Sequence, residues 1–266
     1  MIKENIHQII RDSLTNIVQP VRLVVMTGEK GCEMCPQTVE IARAIKAAAP
    51  KVALEFYDIT MDRDKSEEYG ITRVPSCVVE SHDGRTVMFS GSLEGISLIL
   101  LLDVIDSIAV GRAWFPDRIS NTLKLLVNEV PVQVLLENDC SLCRPVAETA
   151  IGLALANKLV STEIIVADDY PEFLAKHRIK LLPYTLFGPK LHLDGHITES
   201  TFLEMIFKAE GEKGTSDRRC IVCGHASPDL ICQNCKTKIQ AEAVDHKRKD
   251  EKVQERGSAM GSHNHG

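Results

Sequence analysis

Two landmarks recur at a single offset along the chain. Cys-Glu-Met-Cys (32–35) and Cys-Ser-Leu-Cys (140–143) begin 108 residues apart, and so do the prolines at 75 and 183. Each proline therefore follows the first cysteine of its own pair by 43 residues. Independent landmarks sharing one offset mark an internal repeat, and a repeat of this length is one folded unit present twice.

The flanking segments repeat in the same order. The β-branched runs VRLVVMT (21–27) and VPVQVLL (130–136) precede the two pairs and read as strands. Helical patterns follow at 36–49 and 144–159, with Pro36 and Pro145 near the start, where proline is tolerated. Next come strands at 52–59 and 162–168, and short polar helices at 65–70 and 171–177. Beyond each proline lie two short strands, at 76–81 and 85–90 and then at 184–188 and 190–194. Closing helices are expected at 93–110 and 199–210. Asp83-Gly84 suits a tight hairpin turn. Amphipathic helices lead both copies, one marked by Ile2, Ile6, Ile9, Ile10, Leu14 and Ile17, the other spanning 117–128. The order β-α-β-α-β-β-α, read twice, places each cysteine pair where a strand hands over to a helix, with the proline opposite at the start of the third strand.

Nine cysteines occur, eight of them in Cys-x-x-Cys pairs. A pair at this spacing serves as a redox dithiol or as half of a metal site. The first twenty residues carry Lys3, Glu4, Arg11 and Asp12, where a secretory signal needs an unbroken apolar run. The most apolar run, 96–110, is interrupted by Asp103 and Asp106 and is too short to span a bilayer. The expected location is therefore the cytoplasm, away from membranes, where structural disulfides are disfavoured. A formal charge of −6 gives no general pull towards nucleic acid. Cys77, the unpaired cysteine, reads as a small core residue.

With these residues in view the chain resembles the thioredoxin superfamily. More closely, it looks like the two-domain, glutaredoxin-like protein disulfide oxidoreductases, over roughly residues 1–210. The expected fold class is α/β: two tandem thioredoxin-fold domains, 1–112 with Cys32/Cys35 and 113–211 with Cys140/Cys143. A small four-cysteine zinc ribbon or knuckle at 212–240 and a polar helix with a disordered tail at 241–266 would follow. The resemblance implies cis peptide bonds at Pro75 and Pro183, leaving the backbone at Val74 and Leu182 free to pair with an extended substrate. It also implies a flavin-dependent, thioredoxin-reductase-like electron donor and no bound organic cofactor.

Dithiol exchange needs a thiolate of low pKa and a second thiol close enough to resolve the mixed disulfide. A helix N-terminus favours the thiolate, and the i, i+3 spacing brings the two sulfurs together. On this reading Cys32 and Cys140 attack while Cys35 and Cys143 resolve. Thioredoxin has a buried aspartate six residues before its first cysteine; here those positions hold Met26 and Val134. Glu33 and Asp139 oppose a thiolate, while Lys30 and Arg144 favour it.

The remaining pairs form a different pattern, Cys220-x2-Cys223-x8-Cys232-x2-Cys235, with no strand–helix junction and no matched proline. Four thiolates in two tight turns suit structural Zn2+, with a four-sulfur iron site as competitor. His225 stands beside the first turn and reads as solvent-facing. Residues 212–256 carry ten Lys/Arg against eight Asp/Glu, a surplus that a four-thiolate zinc site cancels. The module therefore reads as a docking surface for a protein partner rather than for nucleic acid. The functional expectation is a cytoplasmic enzyme that reduces or isomerises disulfides in protein substrates. A persulfide carrier docking through its zinc module and a non-catalytic thioredoxin-fold adaptor are the alternatives.

Overall fold

The computed structural model describes residues 4–29, 31–211, 220, 222–225, 227 and 231–238. Ile2, Lys30 and the helix and tail expected over 241–266 lie outside the described residues. The chain divides into two compact units, 1–210 and 211–266.

The first unit opens with α1 (Glu4–Ser13), β1 (Val21–Thr27), α2 (Cys35–Ala48), β2 (Val52–Asp58) and α3 (Arg63–Glu68). Then come β3 (Ser76–Glu80), β4 (Thr86–Ser90) and α4 (Gly95–Val110). The second copy comprises α5 (Asp117–Leu123), β5 (Val130–Leu136), α6 (Cys143–Ala156), β6 (Val160–Val166), α7 (Pro171–His177), β7 (Tyr184–Phe187), β8 (Leu191–Asp194) and α8 (Glu199–Gly211). Each copy has the eight elements expected of it, the leading helix included.

The strands do not form two separate sheets. They make one eight-stranded sheet in the order β2-β1-β3-β4-β6-β5-β7-β8, joined where β4 pairs parallel with β6 from Val87/Thr162 to Ser90/Ile165. β1 runs parallel to β2 and antiparallel to β3, and β3 runs antiparallel to β4. With β4, β6 and β5 mutually parallel, β1 and β5 point the same way. Their C-terminal ends therefore lie on one edge of the sheet, four strand spacings or about 19 Å apart.

Burial follows position. β1 and β5 are covered on both faces, so they are nearly continuous in Val, Leu and Met rather than alternating. α4 is buried almost all round, with Leu100, Leu101, Leu102, Val104 and Ile105 fully enclosed. It ends at Gly111, whose φ of 69° is the left-handed cap geometry that glycine adopts without steric cost. No helix among the described residues is long and apolar enough to cross a membrane.

The leading helix stops at Ser13, short of Leu14 and Ile17, and two helices of the second copy end earlier than their apolar periodicity predicts, because side chains take over backbone groups at their ends. Asn157 Nδ2 donates to the Leu123 carbonyl at 2.7 Å and its Oδ1 accepts the Leu159 N–H at 2.8 Å, which stops α6 at 156 instead of 159. The same bond closes α5 at Leu123, and beyond it the Glu210 carboxylate accepts the N–H groups of Val127 and Asn128.

Candidate functional site

Both cysteine pairs of the repeat sit at the expected junctions, β1 to α2 and β5 to α6, and both are closed as disulfides. The Cα atoms are 5.4 Å apart in Cys32–Cys35 and 5.3 Å apart in Cys140–Cys143, a separation ordinary for a disulfide. The turn is the same in each, with the Cys35 N–H donating to the Cys32 carbonyl at 3.3 Å and Cys143 to Cys140 at 3.1 Å. Within each pair the first cysteine is the more accessible residue. Cys32 and Cys140 are partly exposed, whereas Cys35 is 5% and Cys143 0% exposed. Met34 and Leu142 precede the helices and neither helix has a side-chain cap, so no side chain competes with a thiolate for the first-turn N–H groups.

Pro75 and Pro183 both follow cis peptide bonds, after Val74 and Leu182. The following residues, Ser76 and Tyr184, pair with Met26 and Leu135. The position facing the start of the third strand is therefore Met26 in the first copy but Leu135 in the second, not Val134. The loop from β5 to Cys140 is one residue shorter than the loop from β1 to Cys32. Both positions are apolar and buried, so neither supplies a carboxylate.

The cation beside the second dithiol is engaged elsewhere. Arg144 donates to Glu148 at 2.7 Å and to Asp103 at 3.3 Å, so its charge is committed to carboxylates rather than to the adjacent sulfur. Burial raises the Asp103 pKa, with Arg144 acting against it. Burial also pushes the Cys77 thiol up to about 12, as befits an inert thiol enclosed on β3.

One polar chain links the two cysteine loops. Gln37, two residues after Cys35, donates to Glu94 at 2.9 Å. Glu94 and Ser97 close a capping box at the start of α4. Ser97 N–H donates to Asn138 Oδ1 at 3.1 Å, and Ile96 N–H to the Asn138 carbonyl at 3.3 Å. Asn138, two residues before Cys140, thus caps a helix of the other copy. Its only local signal in the sequence is an amide side chain in a short loop.

In the second unit Cys220, Cys223, Cys232 and Cys235 converge, with their sulfurs within 4.8 Å of one another. Cys223 and Cys232 Sγ are 3.6 Å apart, near the roughly 3.8 Å expected between thiolates on tetrahedral zinc with Zn–S bonds of about 2.3 Å. Gly224, at φ 73°, donates its N–H to the Cys220 carbonyl at 2.8 Å and makes the first tight turn. The second lies at the start of a short helix over 233–238. Cys232 N–H donates to Cys220 Sγ at 3.3 Å, and such backbone bonds hold that thiol down to about 6. His225 is exposed, and its carbonyl accepts the Cys220 N–H. The donor set fits a metal ion that takes four sulfurs. Most of the charged residues of 212–256 lie outside the described residues.

No protein-family model matches the chain, and no curated protein matches it by sequence. Solved structures do match. The N-terminal domain of alkylhydroperoxide reductase AhpF from Enterococcus faecalis superposes with a TM-score of 0.69 at 18% identity, over 77% of this chain and 100% of that one. A protein disulfide oxidoreductase from Aeropyrum pernix superposes with a TM-score of 0.70 at 24% identity, over 79% and 94%. At such identities the likeness establishes architecture: the chain has a mixed α/β, thioredoxin-like fold.

Proposed function

We propose that the chain is a cytoplasmic thiol–disulfide oxidoreductase acting on disulfides in proteins. The observation that carries this reading is the pair of junctions at which a partly exposed cysteine leads an uncapped helix and a buried cysteine follows it. The Cys32 or Cys140 thiolate attacks a substrate disulfide, forming a mixed disulfide and releasing one substrate thiolate. Cys35 or Cys143 then attacks the sulfur of its partner, releasing the second substrate thiol and closing the intramolecular disulfide. Two electrons return from a dithiol donor, for which a flavin-dependent reductase of the thioredoxin-reductase kind is the proposed source. Reversal of the first step on a different substrate thiol gives isomerisation. Val74 and Leu182, before Pro75 and Pro183, offer backbone to an extended substrate segment.

Residues 1–112 and 113–211 are proposed as the two thioredoxin-like units, 212–240 as a structural zinc module held by the four remaining paired cysteines, and 241–266 as a polar extension. Zinc would hold that module folded, since so short a segment has almost no core, and its surface is proposed to dock a protein partner. Insulin reduction in the presence of dithiothreitol tests the enzyme reading. The intact protein should reduce insulin, and the Cys32→Ser/Cys140→Ser variant should not. An intact protein no better than dithiothreitol alone would refute the reading.

A further inference from the structure

Arg73 stands directly before Val74 and Pro75, yet its side chain reaches into the other copy of the repeat. Its Nη1 donates to Glu163 Oε1 at 2.6 Å, and its guanidinium lies 4.8 Å from the ring centroid of Phe173 and 5.5 Å from that of Tyr170. Glu163 is 7% exposed and belongs to β6. Its Oε1 also accepts Ser90 Oγ at 2.7 Å, and its Oε2 accepts Gln133 Nε2 at 2.6 Å. Ser76 Oγ is 2.9 Å from Ser90 Oγ and 2.8 Å from the Arg73 carbonyl. Each hydroxyl has one proton, so Ser90 gives its own to the carboxylate while Ser76 divides its proton between the other two acceptors. The Pro75 carbonyl accepts the Gly91 N–H at 3.0 Å and Tyr170 Oη–H at 3.4 Å.

A buried ion pair is weak evidence for stability, because apolar side chains of similar volume can do as well. What this pair supplies is fixed geometry, and it supplies it once. The residue 108 positions after Arg73 is Leu181, which is 57% exposed. The residue 108 positions before Glu163 is Glu55, on the edge strand β2, paired with Arg22 at 3.4 Å. The loop before Pro183 therefore has no equivalent anchor at these positions.

We propose that the loop Arg73–Ser76, which offers backbone to the substrate of the first dithiol, is completed by the second copy, with Arg73 and Glu163 as its positioning residues. This rests on the oxidoreductase reading above. Glu163 lies in β6, the strand by which the second copy joins the sheet of the first, yet it serves the dithiol of the first. Ownership crosses the repeat.

The test isolates each dithiol, using Cys140→Ser/Cys143→Ser to leave the first and Cys32→Ser/Cys35→Ser to leave the second. Insulin probes backbone recognition, and bis(2-hydroxyethyl) disulfide, which has no peptide backbone, probes thiol chemistry alone. Glu163→Gln should raise the insulin KM of the first dithiol by about tenfold with kcat unchanged, the signature of lost binding rather than lost chemistry. Its rate on the small disulfide, and both activities of the second dithiol, should not move. Arg73→Ala should match Glu163→Gln, while Arg73→Lys, which keeps the charge, should recover part of the loss. Arg73 is nearer the surface, so these two variants carry the comparison if Glu163→Gln does not fold. An unchanged KM in Arg73→Ala, or an equal rise at both dithiols, would overturn the positioning role. A first dithiol that leaves insulin oxidised without any of these substitutions would overturn the functional reading itself.

Discussion

Gly152 lies inside α6, where replacing glycine by alanine ordinarily stabilises a helix by about 1 kcal/mol. Here the sign should reverse. A Cβ at 152 would stand 2.6 Å from Phe115 Cε2, 3.0 Å from Phe115 Cζ and 3.0 Å from Trp114 Cβ. Both rings belong to the segment joining α4 to α5, so relief requires that segment to lift off α6. Overpacking of this kind costs about 1–3 kcal/mol, which outweighs the gain in helix propensity and leaves a net loss of about 1 kcal/mol. For a unit of this size that lowers Tm by about 2–4 °C. Trp114 is the only tryptophan in the chain, so its fluorescence reports the same contact. Gly152→Ala should melt at a lower temperature and show red-shifted emission from the native state. A raised Tm with unchanged emission would refute the packing argument, because it would mean that the joining segment does not rest on α6.

Thiol accessibility should follow burial. After gentle reduction, iodoacetamide should modify Cys32 and Cys140 well before Cys35 and Cys143, read by peptide mass, with Cys77 protected until the protein unfolds. The Cys77 thiol at about 12 is almost wholly protonated at pH 8, and enclosure adds to its protection. Rapid labelling of native Cys77 would contradict its placement on β3. Chelation should release one ion per chain and expose four thiols at 220, 223, 232 and 235, while the melting of the first unit stays within about 1 °C of its starting value. Loss of the first unit's transition on chelation would show that its stability depends on the metal.

The repeat was legible because its punctuation is chemical. A cysteine pair at a helix start and a proline 43 residues later survive divergence in the strands between them, and they carried the element order in both copies. The merged sheet was not legible. The pairing of Val87–Ser90 with Thr162–Ile165 joins residues about 75 positions apart, and nothing local in either strand names its partner. Counting back from the cysteines also misplaced one position, since the loop before Cys140 is one residue shorter and Leu135, not Val134, is the counterpart of Met26. Helix ends at 123 and 156 depend on Asn157 and Glu210, whose partners are distant in sequence. Glu163 did leave a trace, as a carboxylate directly before the apolar run Ile164–Ala167. A charge at such a position demands donors, though the sequence does not say that one of them is Arg73.

The central claim, two cycling dithiols beside four cysteines held on metal, is tested most directly by intact mass with and without alkylation. The protein would be equilibrated across a series of thiol–disulfide buffers and its metal content measured in parallel. The account predicts that two disulfides form and open in the thioredoxin range of potentials, near −270 mV or within roughly 50 mV of it. One zinc should stay bound throughout, with four thiols shielded from alkylation. If the pairs at 32/35 and 140/143 form no reversible disulfide, or return carrying added sulfur, the exchange chemistry is wrong. If the four remaining cysteines join the redox titration, the metal assignment is wrong.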